Sequence, residues 1–130
     1  MGKIAFLFAG QGAQYPGMGK SLEEVSPRAK ALFELADTVR PGTSAQCFSG
    51  TQEELTETKN TQPCVYLVDL AAAYALEEQG VHADVAAGFS LGEKGGPPVI
   101  CARSARWRPS RLPARFLMQT ASLLCAVAVS

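Results

Sequence analysis

The sequence predicts an α/β fold with a parallel sheet and a nucleophile elbow. Three stretches carry that expectation. Lys3-Ile4-Ala5-Phe6-Leu7-Phe8 is one charge followed by a continuous apolar run that glycine soon ends, the pattern of a buried strand. Asp84-Val85-Ala86-Ala87 is a second short, mostly apolar run. It leads into Gly88-Phe89-Ser90-Leu91-Gly92-Glu93, which has the Gly-x-Ser-x-Gly form of a sharp strand-to-helix turn that lifts a serine hydroxyl clear of the backbone. The two glycines leave room for strand and helix to approach each other.

Between these stretches the chain reads as helices and loops. Residues 9–19 hold four glycines and a proline and form a loop at the C-terminal end of the first strand. A dinucleotide fingerprint begun at Gly10 would need its third glycine where Tyr15 stands, so that function is set aside. Such a loop is still where α/β folds build sites, because its N–H groups point outward. Ser21-Leu22-Glu23-Glu24 has the form of a capping box, and Ser26-Pro27 offers a second helix start. Ala29, Leu32, Phe33, Leu35, Ala36 and Val39 then recur at helical spacing over residues 27–39, and Arg40-Pro41-Gly42 ends the helix. Thr51-Gln52-Glu53-Glu54 is another capping box and opens a short helix. Asn60-Thr61-Gln62-Pro63 starts the longest helix, expected over 61–79 and apolar nearly all round, so it must be covered by protein on every side. Gly80 closes it. His82, the sole histidine, follows in a loop and reads as solvated.

Composition is that of an ordinary soluble protein, at 47% hydrophobic and 18% charged residues with zero formal net charge. The zero conceals an asymmetry. Residues 1–93 hold all 12 acidic residues and 6 of the 12 Lys+Arg, a net of −6, while 94–130 hold the other 6 basic residues and no acid, a net of +6. The apolar run at 121–129 is about half the length of a membrane span, and no targeting signal is evident. The four cysteines form no C-x-x-C pair and have no histidine cluster beside them. They read as free thiols of a reducing cytoplasm rather than metal ligands.

Gly10-Gln11-Gly12, Asn60-Thr61-Gln62-Pro63 and Gly88-Phe89-Ser90-Leu91-Gly92-Glu93, in this order and spacing, resemble the malonyl-CoA:acyl-carrier-protein transacylases of fatty-acid synthesis and the acyltransferase domains of polyketide synthases. The likeness covers residues 1–93, with Phe89 standing where many members have His. It implies the N-terminal part of an acyltransferase domain of α/β-hydrolase-like fold. It also implies that Ser90 is the nucleophile, forming a malonyl ester from malonyl-CoA and passing it to the phosphopantetheine thiol of acyl carrier protein. The backbone N–H groups of Gln11 and Leu91 would form the oxyanion hole, and Gln62 would line the substrate site. The resemblance calls for no metal, no bound cofactor, no nucleic acid and no membrane, and for a cytoplasmic monomer. A non-catalytic acyl-carrier-protein-binding module is the alternative from another class. A serine hydrolase of the α/β-hydrolase type shares the elbow but not the other two motifs.

The likeness stops after Glu93. Lys94-Gly95-Gly96-Pro97-Pro98 disfavours the helix a member would continue. Residues 101–115 hold five arginines interrupted by Pro109 and Pro113. Residues 94–130 are therefore expected to be a non-matching basic tail, out of frame or disordered. Arg115 falls about where the family keeps the arginine that grips the malonyl carboxylate, but with the intervening sequence rewritten it is not assigned a role. The family's catalytic histidine is also missing from these residues, so the chain alone is expected to be inactive and poorly folded.

Overall fold

The computed structural model describes residues 3–88, and the backbone of 115–117 and 124–129. Strand β1, Lys3–Phe8, pairs in parallel with β2, Val85–Gly88. Asp84 fixes the start of that pairing twice: its carboxylate accepts from Ile4 N–H at 2.8 Å, and its own N–H donates to the Ile4 carbonyl at 2.8 Å. The parallel pair is the sheet the sequence predicts, with β2 one residue later than the expected 84–87. The whole sheet is mixed. Strand β4, Leu124–Val129, runs antiparallel along the other edge of β1, and β3, Arg115–Leu117, pairs antiparallel with β4, giving the order β2-β1-β4-β3. Two segments from the region expected to be out of frame or disordered thus have strand backbone. Residues 94–114 and 118–123 lie outside the described residues.

Five helices separate β1 from β2: α1 (Lys20–Val25), α2 (Pro27–Val39), α3 (Thr43–Ser49), α4 (Gln52–Thr56) and α5 (Thr58–Glu78). Their starts show which local signals won. Ser26 caps α2, its side chain accepting from Ala29 N–H at 3.1 Å with Pro27 at the first helical position, as its sequence predicts. The capping box at Thr51 also forms, reciprocally with Glu54. The box expected at Ser21 does not. Helix α1 begins earlier, after Gly19 in the left-handed region at φ 83, which leaves Ser21 inside the helix. Gly19 is held there by packing: a Cβ on it would meet Phe33 Cζ at 2.9 Å and Val68 Cγ2 at 3.0 Å. Helix α5 starts three residues before the expected 61, after Glu57, so Asn60 and Thr61 are helical and Pro63 lies within the helix. Helix α3 was not foreseen. Asp37, near the end of α2, holds its first turn by accepting from Ser44 N–H at 2.9 Å and from the Ser44 hydroxyl. Burial alone would raise the Asp37 carboxyl, but these bonds keep it below its ordinary range.

Helix α5 is apolar nearly all round because it is sandwiched. Cys64, Leu67, Val68 and Ala71 face the other helices, packing with Met18, Ala29, Phe33, Cys47 and Leu55. Ala72 and Ala73 face the sheet, packing with Phe6 and Phe8. The cover is incomplete along one edge: Tyr66 is 39% exposed, and Leu35 and Val39 of α2 stay exposed beside it.

Candidate active site at the C-terminal ends of β1 and β2

In the parallel register Phe8 lies opposite Gly88. The start of the loop after β1 and the C-terminal end of β2 therefore lie side by side, where open α/β sheets form their ligand crevices. Ser90 and Leu91, the predicted nucleophile and second oxyanion donor, lie outside the described residues. Gly88, the first residue of their motif, is the last residue of β2.

Gln11 is exposed at the head of the loop after β1. Among the described residues no acceptor takes its backbone N–H, the condition for an oxyanion donor. The loop is shaped by Ala13 N–H donating to the Gly10 carbonyl at 3.4 Å and Gly12 N–H donating to Gln14 Oε1 at 2.8 Å. The Gln11 side chain is tethered, its Nε2 donating to Thr58 Oγ1 at 3.2 Å. Gln62 follows Thr58 by four residues, so it sits on the same side of α5 one turn on, exposed. Two of the three motifs are thereby joined through a residue, Thr58, that belongs to neither.

A second residue escaped the sequence reading. Asp69 is fully buried within α5, and neither carboxylate oxygen has a hydrogen-bond partner among the described residues. Burial pushes its pKa up to about 8, partly offset by the backbone of Ala9, which lies near but outside hydrogen-bond geometry. A buried carboxyl with a raised pKa thus stands near Ala9, at the root of the Gln11 loop. The sequence signal was a lone Asp in an otherwise apolar helix.

His82 is exposed and precedes β2, so four strand residues, about 13 Å, separate it from the Gly88 end. Among the described residues no group of three or more His, Cys, Asp or Glu could hold a metal ion, and no helix is long and apolar enough to cross a membrane.

This arrangement, a glycine-rich loop level with the strand that runs into a Gly-x-Ser-x-Gly motif, defines a class of α/β fold. The acyl transferase domain family matches residues 5–103, and the chain belongs to that family. The match runs ten residues past Glu93, where the recognisable motifs end. The malonyl CoA-acyl carrier protein transacylase of Bacillus subtilis (strain 168) is 49% identical over 94 residues, 72% of this chain and 30% of the relative. The acyltransferase domain from the second module of the salinomycin polyketide synthase superposes with a TM-score of 0.67 at 38% identity, covering 73% of this chain and 23% of that one. A malonyl-transacylase solved with its type II polyketide acyl-carrier protein superposes at 0.63 and 32% identity, covering 70% of this chain and 30% of that one. The chain spans less than a third of the length of the transacylases it matches.

Proposed function

We propose that the chain supplies the nucleophile-bearing part of a malonyl-CoA:acyl-carrier-protein transacylase. The observation that supports this is the Phe8–Gly88 register, which brings the root of the Gln11 loop level with the first residue of the Gly-x-Ser-x-Gly motif. In this chemistry Ser90 Oγ attacks the thioester carbonyl of malonyl-CoA. The oxyanion accepts from the N–H groups of Gln11 and Leu91, and coenzyme A leaves as its thiolate. The phosphopantetheine thiol of acyl carrier protein then attacks the serine ester, and the serine is regenerated. Gln62 lines the substrate side. The general base and the carboxylate-gripping arginine belong to the part of the domain these residues do not span, so residues 1–93 alone turn over no substrate. The working form is a cytoplasmic monomer, and residues 94–130 are a basic segment of which the first ten fall within the family match. The polyketide-synthase acyltransferase is the second reading, favoured by the likeness to the salinomycin domain.

A fluorophosphonate probe tests the elbow directly. The expected result is a slow adduct on Ser90 alone, formed without the general base, that Ser90→Ala abolishes. A folded chain that takes no label at Ser90 overturns the assignment. Sequencing the gene through codon 93 in all frames tests the extension. A second frame that resumes an alanine-rich helix and later encodes a histidine makes the tail an artefact of frame.

A further inference from the structure

Cys47 and Cys64 stand apart from the acyl-transfer chemistry, and both are fully buried. They are 17 residues apart in sequence, yet they meet where α3 packs on the first turns of α5: Cys47 Sγ lies 4.0 Å from the Cys64 carbonyl oxygen. The two thiols are close enough that each shifts the other's protonation, Cys47 upward and Cys64 downward. The Cys64 thiol is also in contact with Gln46 Oε1 at 3.5 Å. Arg40 Nη1 donates to that same Gln46 oxygen at 3.0 Å and to Thr43 Oγ1 at 3.1 Å, while its Nη2 donates to Asn60 Oδ1 at 2.8 Å. A fixed cation is thus built in beside a pair of thiols, the setting that favours a thiolate and its reactivity.

We propose that Cys47 and Cys64 form a peroxide-oxidised disulfide site that staples α3 to the start of α5. The Cys64 thiolate attacks one peroxide oxygen. The O–O bond breaks, a sulfenic acid remains on Cys64, and the departing hydroxide takes up a proton as water. The Cys47 sulfur then attacks the Cys64 sulfur. The S–S bond forms, the S–O bond breaks, and the second hydroxide leaves with the Cys47 proton as water. Two thiols lose two electrons and one peroxide becomes two waters. Access requires a local opening of α3, a helix of seven residues whose first turn is held by Asp37. The cross-link closes the loop between the two helices and fixes the turn that carries Gln62, two residues from Cys64. This chemistry stands independently of the transacylase assignment.

The test uses the full, reduced chain treated with hydrogen peroxide, followed by intact mass, non-reducing peptide mapping and thermal unfolding. The expected product has lost two hydrogens and gained no oxygen. It links the Cys47 and Cys64 peptides, reverts with dithiothreitol, and unfolds about 10 °C higher than the reduced chain. Cys47→Ser stops at a Cys64 sulfenic acid that dimedone traps. The same oxidation in urea gives mixed links that include Cys101 and Cys125. Native-state oxidation that adds oxygen without a link overturns the proposal. So does pairing through Cys101 or Cys125 in buffer, or no loss of two hydrogens. Wild-type mapping decides the matter even where a variant fails to fold.

Discussion

Gln11 Nε2 donates to Thr58 Oγ1 at 3.2 Å, so the loop after β1 is tied to the first residue of α5. The bond is exposed and adds little to global stability, but it restrains the loop whose backbone N–H is proposed as an oxyanion donor. A hydrogen bond of this kind is worth about 1 kcal/mol, or roughly fivefold in a rate that depends on it. Thr58→Val is expected to slow fluorophosphonate labelling of Ser90 by about that factor while leaving the unfolding midpoint within a degree or two. An unchanged labelling rate would show that the tether does not position the loop.

Asp69 makes stability depend on pH in an unusual direction. Its folded pKa is about 8, raised by burial, against about 4 in an unfolded chain. In that window the folded state keeps a proton the unfolded state has lost. The stability Asp69 contributes is fully present below about pH 4. It falls by about 1.4 kcal/mol per pH unit as pH rises toward the folded value, then levels off. Asp37 shifts the opposite way, so its contribution is lost only as pH falls below the ordinary carboxylate range. Asp69→Asn keeps the shape and removes the titration. Urea midpoints should decline from pH 5 to pH 8 in the wild type and stay level in the variant. Parallel profiles would mean that Asp69 is ionised in the folded state.

The features legible in the sequence are those that neighbouring residues decide. The strand at residues 3–8, the Ser26 and Thr51 caps and the motifs holding Gln11 and Gln62 all rest on local chemistry. What escaped depends on distant partners. Gly19 outcompetes Ser21 as a helix start because Met18 is buried and Phe33 and Val68 close over the glycine. Helix α3 has no apolar period of its own and relies on Asp37 across the turn. The antiparallel strand at 124–129 finds its partner more than a hundred residues away, a pairing no local window contains. Thr58 and Asp69 acquire meaning only once α5 lies against the loop after β1.

Gly19 and Gly42 share a backbone conformation and differ in surroundings, which separates two costs. Both precede helices at φ 83. A Cβ at Gly42 meets nothing within 4 Å, whereas one at Gly19 meets Phe33 and Val68 at 2.9 and 3.0 Å. Gly42→Ala is expected to cost about 1–2 kcal/mol, the left-handed penalty alone. Gly19→Ala adds overpacking of about 1–3 kcal/mol, for a total of about 2–5 kcal/mol. Equal losses in urea denaturation would mean that the contact around Gly19 relaxes freely.

Ser26 joins the start of α2 to the end of α5. Its hydroxyl accepts from Ala29 N–H at 3.1 Å and donates to the Glu78 carboxylate, which also accepts from Arg28 N–H at 3.2 Å. Ser26 is buried at 2% exposure, so both bonds are shielded from water. Ser26→Ala removes the cap and one donor to Glu78, an expected loss of about 1–2 kcal/mol. Two further substitutions divide that loss. Asp and Asn cap helices about equally well, and they have nearly the same shape. Asp sets a second carboxylate against Glu78, whereas Asn brings an amide that can donate to it. Ser26→Asn should therefore be the more stable of the two by about 1 kcal/mol or more, and the gap should narrow as pH falls and the carboxylates protonate. If Asp and Asn prove equivalent at neutral pH, Ser26 acts as a cap alone and its bond to Glu78 contributes nothing to joining the two helices.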